Sequence, residues 1–357
     1  MICFVNTAKT FGGGEKWHLD IAKGLHAEGV DVIAVSYPGS PLGQKLYAAG
    51  VKVFPMKIGN LSFLNPIKLS LCEKFFRKLK VDTVIMNLPS DMKFASSVAA
   101  KVGAKKIIYR RGSDIPIKNS LVNRYYFGSV LTDVIANSEA TKKSILAKNP
   151  ALFPIEKIKV IYNGIDFADY PKEATFAAKA EGDTLKIGTL GRLVYQKAQT
   201  YLLDLSQELQ KRNLPHKIII GGDGPEKAKL VQYAENAGVA KNIEFVGFVE
   251  NVPEFMSRLD VFALTSRWEG FGYVLVEAMA CGRPLVAFDV SSVPEIIEDG
   301  ENAYLVPFAD IKTFADRIEN LQSESERKRL GEAGFRISRE KFSYARELSD
   351  VKQFLGL

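Results

Sequence analysis

The sequence predicts an α/β protein built from two Rossmann-like domains that face each other across a cleft. Three observations predict it. Short apolar runs of strand length alternate with amphipathic segments along the 357 residues, which is the rhythm of doubly wound parallel sheets. The rhythm breaks once, at the polar, alanine-rich stretch Tyr170–Asp183, and then restarts. The length also exceeds what one hydrophobic core usually serves.

The first set of strands reads Ile2–Asn6, Asp31–Ser36, Val51–Pro55, Thr83–Asn87, Lys106–Arg110 and Asp133–Asn137. Between them lie helical patterns such as Lys16–Ala27, Pro66–Leu79 and Ser138–Lys148. The second set reads Lys186–Leu190, His216–Ile220, Asn242–Val246, Val261–Leu264 and Pro284–Phe288. The boundary falls near Asn163–Asp183, giving domains at residues 1–165 and 166–341. The helix-prone segment Phe342–Leu357 is placed to cross back and dock on the first domain.

Composition narrows the function. Apolar residues make up 46% and charged residues 25%, an ordinary globular balance. No apolar run approaches the roughly 18 residues of a membrane span. Met1–Val5 enters a strand without a basic leader or cleavage site, so no signal peptide is expected. Cys3, Cys72 and Cys281 are too far apart in sequence to suggest a disulfide framework or a metal site, which suits a reducing cytoplasm. His18, His26 and His216 lack metal-ligand spacing. Charge is unevenly spread. Residues 1–165 hold 24 Lys and Arg against 11 Asp and Glu, a net of +13. The remainder holds 24 against 30, a net of −6. A basic first half suits an anionic partner, although a solvated lysine surface gives the same count.

Glycine loops follow several strands. Phe11-Gly12-Gly13-Gly14-Glu15 lies between the first strand and first helix, where a helix N-terminus suits phosphate. It equally suits a tight turn with no ligand, and its spacing is not the dinucleotide fingerprint G-x-G-x-x-G. Gly188–Lys197 runs from a strand through Gly191 and puts Arg192 and Lys197 at the mouth of the second sheet. Ligands of open α/β sheets bind there, and two cations can stabilise a departing diphosphate. Gly221-Gly222-Asp223-Gly224 follows the next strand.

The most informative stretch is Glu269-Gly270-Phe271-Gly272-Tyr273-Val274-Leu275-Val276-Glu277. A loop ends and a helix begins near Tyr273. In one continuous helix the two glutamates would be separated by roughly 12 Å of rise. They therefore do not form a hydrolase pair around one bond. Across a loop-helix junction they can hold two parts of one extended ligand through vicinal hydroxyls.

This E-x7-E string with Gly-Phe-Gly inside it resembles the retaining glycosyltransferases of family 4, which have the GT-B fold. The resemblance also takes in Gly12–Glu15, Asn137-Ser138, Tyr162–Asp166, Gly191-Arg192 with Lys197, Gly222–Gly224 and Phe245–Phe248. It implies that Arg192 and Lys197 contact the donor diphosphate and Glu277 the ribose. Glu269 would contact the transferred sugar, making Arg192, Lys197 and Glu269 the catalytic set. Gly14, Gly191, Gly222, Gly247, Phe248, Phe271, Gly272, Tyr273 and Val274 would line the donor site. Many members carry a histidine at a first-domain strand end; here that region reads Ile107-Ile108-Tyr109-Arg110-Arg111-Gly112-Ser113-Asp114. Arginine is no base, but Arg110 and Arg111, with Gly13 and Asp114, are candidates for an anionic acceptor group.

The expected function is transfer of a sugar from a nucleotide diphosphate, UDP ahead of GDP, to a glycan or glycolipid of cell-surface polysaccharide or lipopolysaccharide. An Asp-x-Asp pair is absent from the sequence, so no metal or other cofactor is expected. Rival readings are an epimerase or hydrolase on the same fold and a non-catalytic sugar-nucleotide binding protein. Nucleic acid is not expected, because the basic stretches lack interleaved aromatic residues. The expected location is cytoplasmic, at the inner face of the membrane. The cations Lys74, Arg77, Lys78 and Lys80, with Lys101, Lys105 and Lys106, suit weak contact with anionic lipid. The plainer reading of Leu71–Lys80, and the better supported by the sequence, is a helix whose apolar residues face the core and whose cations face solvent.

Overall fold

A computed structural model describes residues 1–176 and 183–357. Residues 177–182, within the expected boundary stretch Tyr170–Asp183, lie outside the described residues. The chain divides into two compact units. The first is Met1–Asn163 together with Glu347–Leu357, and the second is Gly164–Arg346.

The first unit holds β1 (Ile2–Asn6), β2 (Val32–Ser36), β3 (Lys52–Pro55), β4 (Thr83–Met86), β5 (Lys106–Arg111), β6 (Asp133–Ala136) and β7 (Ile158–Val160). All are parallel, in the order β3-β2-β1-β4-β5-β6-β7. The second unit holds β8 (Leu185–Leu190), β9 (His216–Gly221), β10 (Ile243–Gly247), β11 (Val261–Leu264), β12 (Leu285–Phe288) and β13 (Tyr304–Val306). These are parallel in the order β10-β9-β8-β11-β12-β13. Each sheet is therefore doubly wound. Its strand order reverses between β1 and β4 in one unit and between β8 and β11 in the other.

The elements form where local chemistry starts and stops them. Helix Pro41–Ala48 begins at Ser40, whose side chain accepts from the Gly43 N–H, with proline in the first turn. Asn65 does the same for helix Pro66–Lys78, accepting from Lys68 N at 3.0 Å. Such caps satisfy a backbone donor that the helix leaves open, and proline there loses nothing. Helix Pro89–Val102 ends on the left-handed Gly103. Each sheet buries both faces. Val5, Ile33, Val84, Met86 and Val134 lie in one core, and Ile187, Ile218, Ile220, Val261 and Val286 in the other.

The structure alters some details of the sequence reading. Strands β7 and β13 were not read from the sequence: each is three residues long at a sheet edge, too short to carry a pattern. The first long helix begins at Gly13, three residues before Lys16. Gly13, Gly14 and Glu15 are thus its first turn, and the loop before it ends at Gly12. Helix Pro66–Lys78 does not turn all its apolar residues inward. Cys72 and Phe76 are buried, whereas Ile67 is 72% and Leu71 60% exposed.

The C-terminal helix is Tyr344–Leu355. Within the first unit, Lys106 Nζ donates to the Phe354 carbonyl at 2.5 Å and sits over the Phe354 ring, while Lys352 pairs with Glu28. Lys106 is thus half-buried and engaged by the C-terminal helix. In the second unit, Ile165 and Ser343 form a parallel bridge, with Ile165 N donating to Phe342 O and Tyr344 N to Ile165 O, both at 2.9 Å.

Candidate functional site

In the second unit the chemistry gathers where the strand order reverses, the place an open α/β sheet offers a ligand. The loop after β8 carries Lys197, and the loop after β11 carries Glu269. Lys197 Nζ lies 2.6 Å from Glu269 Oε1, and Ser266 Oγ donates to the same oxygen at 2.5 Å. Only 17% of the Lys197 side chain and 6% of the Glu269 side chain are exposed. The sequence reading gave these residues separate tasks; the fold joins them into one ion pair across 72 residues of chain. Arg192, five residues earlier, is exposed.

The glycine loops are laced to one another by backbone bonds. Gly191 N donates to Gly221 O at 3.0 Å, Leu193 N to Asp223 O at 2.9 Å and Gly222 N to Gly247 O at 2.6 Å. The ends of β8, β9 and β10 are thereby held at van der Waals separation. Gly222 has φ +123°, and a Cβ there would stand 1.9 Å from Gly191 O, so no larger residue fits. Phe248, just beyond β10, is 82% exposed.

Gly272 is the N-cap of helix Tyr273–Ala280 and supplies no side chain to cap it; a helix N-terminus carries a partial positive charge that suits an anion. Ser292 Oγ fixes the approach to this helix by donating to Glu269 O at 3.2 Å and Phe271 O at 3.0 Å. The Phe271 ring is buried edge-on against Tyr273 and Phe342, with centroids 5.7 Å away in each case. Val274, in the first turn, is buried. Glu277 lies one turn further and faces Tyr170: burial first, then the Glu277 charge, pushes the Tyr170 phenol above its usual range. Burial also pushes the Cys281 thiol up to about 12, opposed by Arg283 and reinforced by Glu277. That thiol is inert at neutral pH.

Arg267 was not singled out from the sequence. Its guanidinium lies 4.4 Å from the Tyr195 ring centroid and 5.3 Å from that of Tyr201. Its backbone N donates to Gln196 O at 2.8 Å. These contacts tie the loop after β11 to the loop after β8, and only the fold brings them together.

The first unit has a buried polar cluster at its own reversal point, beside the ends of β1 and β4. Glu15 Oε1 accepts from Asn6 Nδ2 at 3.2 Å and Asn87 Nδ2 at 3.3 Å. A Cβ on Gly14 would meet Asn87 Nδ2 at 2.6 Å, so Gly14 lets the helix start pack onto Asn87. Asp91 is fully buried and accepts from Thr7 N at 2.9 Å and Thr7 Oγ1 at 2.5 Å. Burial pushes its carboxyl up to about 7 against those hydrogen bonds.

Arg110 belongs to this cluster. It is 2% exposed, donates to Asn163 Oδ1 at 2.9 Å and lies 5.1 Å from the Trp17 ring centroid. Its charge, after burial, holds the neighbouring His18 imidazole well below its usual range. Arg111 is half-buried and donates to the Ile115 carbonyl at 2.6 Å and Tyr109 OH at 3.3 Å, which shapes its own loop. Asp114 is half-buried in that loop. Gly13 stands in the helix's first turn. Glu15 and Asp91 had only weak signals in the sequence, an acid in the first turn of a helix, and their partners lie 72 and 84 residues away. Among the described residues no three of His, Cys, Asp and Glu gather as a metal site would require.

Two family descriptions match the chain: "Glycosyltransferase Family 4" over residues 11–169 and "Glycosyl transferases group 1" over residues 171–336. An uncharacterized glycosyltransferase of Methanocaldococcus jannaschii is 31% identical over 265 residues, 71% of this chain and 68% of that protein. The lipopolysaccharide core biosynthesis mannosyltransferase LpsB of Rhizobium meliloti is 36% identical over 169 residues, 44% of this chain and 48% of that protein. The chain matches 59% and 58% of the length of two further curated relatives. Among solved structures, Anabaena Alr3699/HepE in complex with UDP has a TM-score of 0.85 at 21% identity, with 99% of each chain covered. A likeness at that identity speaks to the fold.

Proposed function

The chain belongs to the glycosyltransferases, with a family 4 first half and a group 1 second half, and from that premise we propose that it moves a sugar from a nucleotide diphosphate onto a cell-surface glycan or glycolipid. The Lys197–Glu269 ion pair carries this reading. It stands at the reversal point of the second sheet, beside laced glycine loops and the start of helix Tyr273–Ala280.

Each group then has a task. Lys197, Arg192 and the helix start take the diphosphate, whose negative charge grows as it leaves. Glu269, held by Lys197 and Ser266, keeps lone pairs for the sugar's hydroxyls. Glu277 accepts from the ribose hydroxyls, and Gly247 and Phe248 face the base. UDP is the donor nucleotide in this reading, a choice supported by the UDP bound in a protein of the same fold. A surface-polysaccharide or lipopolysaccharide acceptor is supported by the LpsB relative. Configuration is retained. The acceptor oxygen bonds to the anomeric carbon on the face from which the diphosphate oxygen departs, and the hydroxyl proton passes to a departing phosphate oxygen. Cations supplied by the protein serve in place of a metal.

The test is a thermal-shift panel of nucleotide sugars, because a ligand that binds the native state raises its melting temperature. The stabilising donor is then used in a transfer assay, with the product anomer read by NMR. Stabilisation by a UDP-sugar and a product of unchanged configuration are expected. A folded protein stabilised by no member of the panel, or an inverted product, overturns the reading.

A further inference from the structure

Four large aliphatic side chains stand in solvent within eleven positions of the first unit: Leu61 at 72%, Leu64 at 65%, Ile67 at 72% and Leu71 at 60% exposure. Single exposed leucines are ordinary, but a contiguous set marks a contact surface. On helix Pro66–Lys78 the spacing puts Ile67, Leu71, Lys74 and Lys78 along one outward stripe. The stripe reads apolar, apolar, cation, cation. Leu61 and Leu64 extend its apolar end in the short turn before the helix. Phe63 packs edge-on against Tyr126 at 6.3 Å. That contact brings up a second exposed group beside Tyr126, with Leu121 at 81% and Tyr125 at 59% exposure.

The charges are one-sided. Residues 57–80 hold Lys57, Lys68, Lys74, Arg77, Lys78 and Lys80 against the single acid Glu73, which is paired with Arg77 at 3.0 Å. Beside Leu61 lies a shallow, open depression of about 640 Å³ lined by Lys9, Tyr37, Lys57, Asn60 and Lys68 among others, with no acidic residue in its wall. Lys9 lies over the Tyr37 ring at 5.2 Å, and Lys68 Nζ donates to the Lys57 carbonyl at 3.0 Å.

We propose that this face docks on an anionic phospholipid bilayer. Leu61, Leu64, Ile67 and Leu71 enter the headgroup boundary. Lys74 and Lys78 rest among the phosphates, and one lipid phosphate sits in the lysine-lined depression. Apolar side chains rimmed by cations are what an interfacial helix presents to such a surface. A protein partner would need acids to match the cations and would leave the depression without a ligand. The sequence pointed to cations 74–80 and 101–106 for this contact. The structure engages Lys106 at the C-terminal helix and supplies the apolar half, with Leu61, Leu64, Ile67 and Leu71 in solvent. The inference does not depend on the transfer chemistry, because its test needs no turnover.

The test is co-sedimentation of the full chain with vesicles of phosphatidylcholine alone and of phosphatidylcholine with phosphatidylglycerol. Binding to the anionic vesicles that weakens in high salt is expected, with little binding to the neutral ones. Ile67→Ser with Leu71→Ser removes two exposed groups, and melting temperature checks that the fold is kept. This pair, and separately Lys57→Gln with Lys68→Gln, is expected to weaken binding by about tenfold or more. Lys74→Gln with Lys78→Gln gives an independent variant. Wild-type protein that ignores anionic vesicles, or variants that bind as well as wild type, overturn the proposal. A dimer in sedimentation analysis that the Ile67 and Leu71 changes disperse, with vesicle binding unaltered, also overturns it and makes the face an interface between copies.

Discussion

Lys197 and Arg192 differ in burial, and the difference separates the expected behaviour of their variants. Arg192 is exposed, so Arg192→Ala removes a cation from the leaving group and little else. Turnover is expected to fall on the order of a hundredfold, with the melting temperature unchanged. Lys197→Ala also strands the nearly buried Glu269 carboxylate, and an uncompensated buried charge destabilises the fold. It is therefore expected to lower turnover and melting temperature together. Equal melting temperatures for the two variants would contradict the pairing as a structural feature. Asp91 gives a pH test. Its carboxyl titrates at about 7 in the folded chain against 3.8 in the free residue. Between those values the unfolded chain has released the proton that the folded chain keeps. The Asp91 contribution is therefore whole below the lower value and is lost as pH rises through the upper one. His18 tilts the other way, because its folded imidazole resists protonation, and its contribution is lost as pH falls. Asp91→Asn removes only the first dependence. The melting-temperature difference, wild type minus variant, is expected to shrink from about pH 4 to 7 and stay flat above; a difference constant across that window would refute the assignment.

At the scale of elements, the proposed donor face of the second unit rests on backbone touching backbone. Gly222→Ala puts a methyl group 1.9 Å from Gly191 O at a φ of +123°. Strain of about 1–3 kcal/mol is expected from the backbone conformation alone, and the loops after β8 and β9 must part. Nucleotide affinity and melting temperature should both fall. Gly238→Ala is the control, since nothing lies within 4 Å of a Cβ there. It is expected to lower the melting temperature slightly and leave nucleotide affinity alone. Calorimetric UDP binding with both variants decides the matter: equal affinities would mean that the lacing does not shape the donor site. The first unit uses side chains for the same purpose, with Glu15 and Asp91 bonding helix starts to the ends of β1 and β4.

For the whole molecule, the sequence lacks an Asp-x-Asp pair to bridge a metal to a diphosphate, and the proposed leaving-group cations come from the protein. Transfer is expected to persist in excess EDTA. Loss of product on chelation, restored by Mg²⁺ or Mn²⁺, would replace the metal-free mechanism. The charge split is also a property of the whole chain: the basic first half carries the cations of the proposed lipid face, whereas the second half, net −6, has to collect cations locally around its proposed phosphate site.

The sequence by itself determined the two-sheet α/β fold. A strand buried on both faces must be apolar throughout, and that pattern is local: β1, β11 and the start of helix Tyr273–Ala280 could be read directly. It also placed glycines at the strand ends, whereas the lack of room for any side chain at Gly222 is visible only in the fold. What only the tertiary structure decided is which residues meet. Lys197 reaches Glu269 across 72 positions, and Thr7 reaches Asp91 across 84. Arg110, read at a strand end as a candidate for an anionic acceptor group, lies buried over Trp17. Leu71 followed a helical pattern and proved exposed. Periodicity tells which residues share a face of one element, but the neighbour that covers that face comes from distant chain, and burial and ion pairing depend on that neighbour.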